Sequence, residues 1–121
     1  MSLHLALADM IARDFADRLA TPVETRQDAL IVRLDNGVAL TVHYAAADAY
    51  SLRWTWTGGE AGIDTAPVHR DVAGFPRHLH APDGRVVADP LTRLDAAPED
   101  NLARVLRAVL DDPRLGFGYD A

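Results

Sequence analysis

Leu30-Ile31-Val32-Arg33-Leu34-Asp35-Asn36-Gly37-Val38-Ala39-Leu40-Thr41-Val42-His43-Tyr44 holds two alternating runs on either side of an Asn-Gly pair. Leu30, Val32 and Leu34 share one face of the first run; Val38, Leu40, Val42 and Tyr44 share one face of the second. Asn-Gly between such runs is a strong hairpin signal, because both residues tolerate positive φ. Further along, Tyr50, Leu52, Trp54 and Trp56 alternate with Ser51, Arg53, Thr55 and Thr57. Gly58-Gly59 then turns the chain into a short strand around Ala61–Thr65. These segments predict an antiparallel meander with one apolar face, in which Trp54, Trp56, Tyr44 and Tyr50 serve the core rather than a base-stacking platform.

An apolar sheet face needs a cover, and both ends of the chain supply one. Leu3, Leu7, Met10, Ile11, Phe15 and Leu19 recur at helical spacing, which predicts a helix over 3–20, capped by Ser2 and closed by Thr21-Pro22. A second helix is expected from Ala97-Pro98, with Glu99 and Asp100 favourable in its first turn. Its stripe is Leu102, Val105, Leu106, Val109 and Leu110; Pro113 stops it, and the tail through Gly116, Gly118 and Ala121 is expected to be loose. Between these helices, Pro82-Asp83-Gly84 marks a second hairpin ending in Arg85-Val86-Val87-Ala88. The expected product is one α+β domain spanning 1–121: an N-terminal helix, a meander of about four to six antiparallel strands, and a C-terminal helix packed on the sheet.

Composition narrows the classes of function. Hydrophobic residues make up 49% and charged residues 25%, an ordinary globular mixture that argues against disorder. No apolar run has the roughly 18 residues of a membrane span, so no membrane partner is expected. Met1-Ser2-Leu3-His4 carries no basic n-region, so a secretory signal is not expected and a cytoplasmic location is. The absence of cysteine removes disulfides, thiolate metal ligands and cysteine nucleophiles together. The formal charge is −6, which disfavours a broad nucleic-acid-binding face. The charge is uneven, however. Residues 66–94 hold four arginines (Arg70, Arg77, Arg85, Arg93) against three aspartates (Asp71, Asp83, Asp89), or +1, leaving −7 for the rest. Three of the five histidines lie in that stretch, which is where function is sought.

The P-loop, dinucleotide fingerprint, nucleophile elbow and zincin helix are absent. What stands out is Asp64, His69, Arg70, Arg77, His78 and His80, with Arg85 beyond the next turn. If residues 77–81 are extended, His78 and His80 point to one face and Leu79 to the other. Such a pair can chelate a metal, present two imidazoles to one anion, or simply hydrogen-bond to an irregular loop. His69 or Asp64 completes a metal set if the intervening loop folds back. His4 and His43 read as solvated or edge residues.

Asp64-Thr65-Ala66-Pro67-Val68-His69, a five-residue spacer, and Phe75-Pro76-Arg77-His78-Leu79-His80 resemble the signature of the TumE-like toxin family of prokaryotic toxin–antitoxin modules. That signature reads approximately Asp-Asn-Ala-Pro-His-His, five residues, then Phe-Pro-x-His-x-His. Tyr50-Ser51-Leu52-Arg53-Trp54 looks like the family's Tyr-Ser-x-x-Trp segment, and Val86-Val87-Ala88-Asp89-Pro90 its Val-Val-x-x-Pro segment. The resemblance spans roughly 29–111. Thr65 stands where the family tends to have Asn, and Val68 replaces the first histidine of the pair. The resemblance implies growth inhibition neutralised by a cognate antitoxin, itself a candidate helix-turn-helix protein. By position it carries over to His69, His78 and His80, and more weakly to Asp64, Arg70 and Arg77.

One chemistry these residue types allow is metal-independent RNA cleavage. His69, His78 and His80 would move protons, with Arg77 stabilising the charged phosphorane, Arg70 and Arg85 binding substrate and Asp64 in support. No cofactor is favoured on this reading. The alternatives are a non-catalytic protein-binding module, and a small metal-binding domain holding Zn²⁺ or a similar ion on His69, His78 and His80.

Overall fold

The computed structural model describes residues 2–117. The Leu30–Tyr44 stretch forms the expected hairpin. Its strands are β2 (Leu30–Arg33) and β3 (Ala39–Ala46), paired antiparallel with Leu30 opposite Val42 and Val32 opposite Leu40. Of the Asn-Gly pair only Gly37 takes positive φ, +88°, and its N–H donates to the Leu34 carbonyl at 3.2 Å. Asn36 is thereby free to use its side chain: Oδ1 accepts from the Val38 N–H at 3.2 Å, and Nδ2 donates to the Val109 carbonyl at 2.9 Å. That carbonyl lies in the last turn of the C-terminal helix α2 (Pro98–Asp111), where helical carbonyls have no partner within the helix. The turn that makes the sheet therefore also anchors the helix that covers it.

The remaining strands are β1 (Glu24–Thr25), β4 (Ala49–Trp56), β5 (Gly59–Asp64), β6 (His78–His80) and β7 (Val86–Val87). All seven lie in chain order, β1 to β7, with every neighbouring pair antiparallel. Alternation assigns Leu30, Val32, Leu40, Val42, Leu52, Trp54, Ile63 and Leu79 to the core face, each almost wholly buried. Helix α1 (Leu3–Asp14) contributes Leu7, Met10 and Ile11 to this core, and α2 contributes Leu102, Val105, Leu106 and Val109. Both helices lie on that one face. The opposite face leaves Arg33, Thr41, His43, Arg53, Thr55 and Glu60 exposed.

Several expectations are corrected. The first helix stops at Asp14 rather than running to residue 20. Phe15 leaves helical geometry, and a 3₁₀ turn at Ala16–Arg18 brings Leu19 into a bridge with Leu34 while the Ala20 N–H donates to the Arg33 carbonyl. Pairing with the sheet thus overrides the helical periodicity that Leu19 continues. The strand count exceeds the expected range because of β1, a two-residue strand too short to show alternation. The tail is not loose as far as residue 117. Leu115 and Phe117 pack against the core, and Trp54 Nε1 donates to the Pro113 carbonyl at 2.8 Å. Gly118 and Ala121 lie outside the described residues. No helix among the described residues is long and apolar enough to cross a membrane.

The Asn36 contact predicts that Asn36→Ala lowers unfolding stability by about 1–2 kcal/mol in urea titrations, two hydrogen bonds being lost. Asn36→Asp should cost at least as much, because its carboxylate would face the negative end of α2.

Candidate functional site

Strand pairing builds the site. Asp64 ends β5 directly opposite His78 on β6, and Gly62 lies opposite His80. Leu79 points into the core, fully buried, so both histidines face the other side of the sheet, as the two-residue period requires. Residues 66–77 fold back over this end of the sheet and bring in His69. Its ring centroid lies 4.6 Å from that of His78 and 5.8 Å from that of His80. This cover leaves His78 only 1% exposed, whereas the His80 side chain remains 45% exposed. The Phe75–Pro76 peptide within this segment is cis.

The polar atoms converge closely. His78 Nε2 lies 2.9 Å from Asp64 Oδ1, His80 Nε2 lies 3.1 Å from Asp64 Oδ2, and the two Nε2 atoms are 3.1 Å apart. Ligand atoms of His69, His78 and His80 all fall within 4.8 Å of one another. Asp64 is held in place by the Ala66 N–H, which donates to Oδ1 at 3.0 Å. His78 is held by its other nitrogen, Nδ1, 3.0 Å from the Pro76 carbonyl. A carbonyl can only accept, so Nδ1 carries the proton and a neutral His78 turns an Nε2 lone pair toward the Asp64 carboxylate. Two acceptors at 2.9 Å repel. A proton on Nε2, or a cation shared by the surrounding atoms, relieves that repulsion.

The spacing matches a common cation. Donors around a tetrahedral zinc at about 2.0–2.1 Å stand about 3.3–3.4 Å from one another. The 2.9–3.1 Å separations among Asp64, His78 and His80 lie just inside that edge length, and His69 stands farther off, within 4.8 Å of the other imidazoles. The set combines imidazole nitrogens with one carboxylate, the donor chemistry of zinc and related divalent ions. A metal-bound imidazole is usually oriented by a hydrogen bond from its other nitrogen, the role the Pro76 carbonyl fills for His78.

Of the residues expected at the site, Asp64, His69, His78 and His80 come together. Arg77 does not join them: its guanidinium donates to the Thr92 and Asp89 carbonyls and lies 3.7 Å from the buried Asp89 carboxylate. Asp89 also accepts from the Thr92 hydroxyl, which in turn meets the Tyr50 hydroxyl at 2.6 Å. Burial pushes the Tyr50 phenol above its ordinary pKa, so it stays neutral in this network. Arg70 stacks over Phe75, 5.4 Å from the ring centroid. Arg85 pairs with Asp83 at 2.6 Å and lies over Phe117. Thr65 works in the sheet rather than in the site, its hydroxyl accepting from the Tyr50 N–H at 3.0 Å. Val68 is exposed.

Sequence reasoning passed over Arg53. It sits on β4 opposite Gly62, hence in the same cross-strand row as His80, and both line a surface cleft of about 260 Å³. Its place on the outer face follows from the Leu52/Trp54 alternation, and the Gly58-Gly59 turn sets its register with β5.

No family model matches the chain, and comparison with curated proteins and with solved structures gives no match.

Because Arg77 clamps the 89–92 turn, Arg77→Met should lower stability by about 2 kcal/mol through unpaired carbonyls and a buried carboxylate. Metal affinity measured on the folded variant should stay at the wild-type value. A large loss of metal affinity at unchanged stability would place Arg77 in the site instead.

Proposed function

We propose that this chain is the toxin-like component of a toxin–antitoxin module, acting in the cytoplasm and held in check by a cognate antitoxin. Its working centre is a divalent metal ion, of the zinc class, bound by His69, His78, His80 and Asp64, and its reaction is hydrolysis of RNA phosphodiesters. The observation that carries this reading is the convergence of Asp64, His78 and His80 donor atoms at 2.9–3.1 Å, with His69 closing over them. A shared proton would account for the Asp64–His78 contact alone; it gives no reason for a third imidazole drawn in by a separate loop.

The same distances weigh against two imidazoles working as a metal-free acid–base pair. In-line displacement puts the entering and leaving oxygens on opposite sides of phosphorus. A general base and a general acid must then flank the phosphate, whereas His78 and His80 touch at 3.1 Å. The guanidinium of Arg77, the residue expected to meet the phosphorane, is engaged with the 89–92 turn.

In the metal reading each side chain has a distinct task. His78 and Asp64 form the buried, pre-oriented side of the centre, fixed by the Pro76 carbonyl and the Ala66 N–H. His80 forms the solvent side, where substrate enters. A bound divalent ion supplies a Lewis acid and lowers the pKa of water toward neutrality.

Elemental analysis of untagged protein, purified without chelator, should find about one zinc-class ion per chain. Chelation should lower the melting temperature, since an ion at about 100 times its Kd contributes about 2.7 kcal/mol. His69→Ala and His80→Ala should lose the ion and reduce RNA cleavage by more than the roughly 10–100-fold that loss of an outer partner costs. Induced expression of wild type should arrest growth, with relief by the product of a short neighbouring reading frame. Background metal content together with full toxicity of a folded His69→Ala/His80→Ala variant would overturn the reading.

A further inference from the structure

The cleft beside the histidine cluster has a composition of its own. It is lined by Arg53, Glu60, Ala61, His80, Ala81, Pro82 and Gly84. Gly62 makes it possible: a Cβ there would sit 3.2 Å from both Arg53 Cγ and the Leu52 carbonyl oxygen. With no side chain at 62, the Arg53 stem lies flat across β5, and nothing in that row stands between Arg53 and His80. The row Arg53–Gly62–His80 crosses two strand spacings, so the backbones of Arg53 and His80 are about 10 Å apart.

Arg53 is exposed, and among the described residues its guanidinium pairs with no carboxylate. Arg13, Arg18, Arg26, Arg33, Arg77, Arg85 and Arg93 each have one, while Arg70, also without one, stacks on Phe75. An unneutralised guanidinium beside the solvent side of a candidate metal centre is suited to a tetrahedral oxyanion, which it can meet with two parallel N–H donors. Glu60, opposite Thr55 and so one same-face row from Arg53 on β5, accepts hydrogen bonds but repels phosphate, so it suits a hydroxyl- or amine-bearing part of the same ligand.

We propose that this cleft is the phosphate subsite of the enzyme, with Arg53 as its substrate-binding residue and a nucleoside monophosphate unit of single-stranded RNA as its ligand. The proposal rests on the hydrolase reading above for its purpose, but its binding step does not require the metal. The cleft falls below the roughly 300–1,000 Å³ of ordinary small-molecule pockets, so it takes one phosphate and its sugar rather than a duplex. This fits the −6 net charge of the chain, which disfavours a long cationic groove.

The test is a titration of wild type, Arg53→Met and Arg53→Lys with adenosine 3′-monophosphate and with inorganic phosphate, followed by amide NMR shifts, with and without one equivalent of Zn²⁺. Wild type should show shifts confined to Arg53, Gly62, His80, Ala81 and Gly84. Arg53→Met should weaken both ligands about ten-fold or more, as expected for loss of a charge-assisted contact, and Arg53→Lys should recover part of the loss. Zn²⁺ affinity and melting temperature should not change. In RNA cleavage, Arg53→Met should raise KM more than it lowers kcat. Equal ligand affinity in Arg53→Met and wild type, or shifts located elsewhere, would overturn the subsite. If Zn²⁺ fails to bind but phosphate binding still depends on Arg53, the subsite stands and the metal reading falls.

Discussion

One apolar row sets the register of the whole sheet. Leu30, Val42, Leu52, Ile63 and Leu79 stand opposite one another across five strands, and all five are fully buried. Burying a side chain of this size contributes about 1.5–3 kcal/mol, so a strand that slips by one residue forfeits its share and turns polar residues inward. For β6 the consequence is specific. A slip would expose Leu79 and drive His78 and His80 into the core. The row that holds the fold together thus also holds Asp64 against His78 one position along, because neighbouring rows of a pleated sheet face opposite sides.

This coupling explains what was legible in the sequence. Alternation in Leu30–Tyr44 and Tyr50–Trp56 is a local property with a global meaning, so the sheet, its core face and the common face of His78 and His80 could be read directly. Local pattern fails where a non-local contact decides. Leu19 continues a helical stripe, yet it bridges Leu34 on the sheet. Phe117 sits in a glycine-flanked tail, yet it packs on the core. Arg77 lies beside His78 in the chain and was expected at the same site, but it precedes β6, in the turn where its N–H donates to the Gly74 carbonyl. Its guanidinium went to the 89–92 turn, whose position no local pattern encodes. Arg53 was missed for the converse reason. It is 27 positions from His80 in the chain and becomes its neighbour only through the register with Gly62.

The charge distribution takes on a different meaning in three dimensions. The +1 balance of residues 66–94 pointed to this region, but its four arginines are largely occupied: Arg77 with Asp89, Arg85 with Asp83, Arg93 with Asp95, and Arg70 on Phe75. Two of these pairs, Arg85–Asp83 and Arg93–Asp95, join residues two apart in sequence and are exposed, so they contribute little to stability. What they do is silence charge. Apart from Arg70, whose charge Phe75 does not cancel, the unpaired guanidinium in the cleft beside His80 comes from outside that stretch, on β4. Charge counted along the chain and charge counted after pairing therefore single out different arginines.

The two faces of the sheet therefore carry separate burdens. With both helices on one face, nearly all apolar burial is concentrated there, and the other face can hold polar groups at little cost to folding. His78 is the exception, a polar side chain buried on the outer face by the 66–77 segment. Burying an imidazole is tolerable only if its nitrogens are satisfied; Nδ1 has the Pro76 carbonyl, whereas an Nε2 lone pair facing a carboxylate still needs a proton or cation. A buried nitrogen lone pair aimed at Asp64 creates a demand for positive charge at this point. A proton meets it for His78 alone. On the reading proposed above, a divalent ion would meet it for His78, His80, His69 and Asp64 at once, and would tie the loop that carries His69 to the cluster.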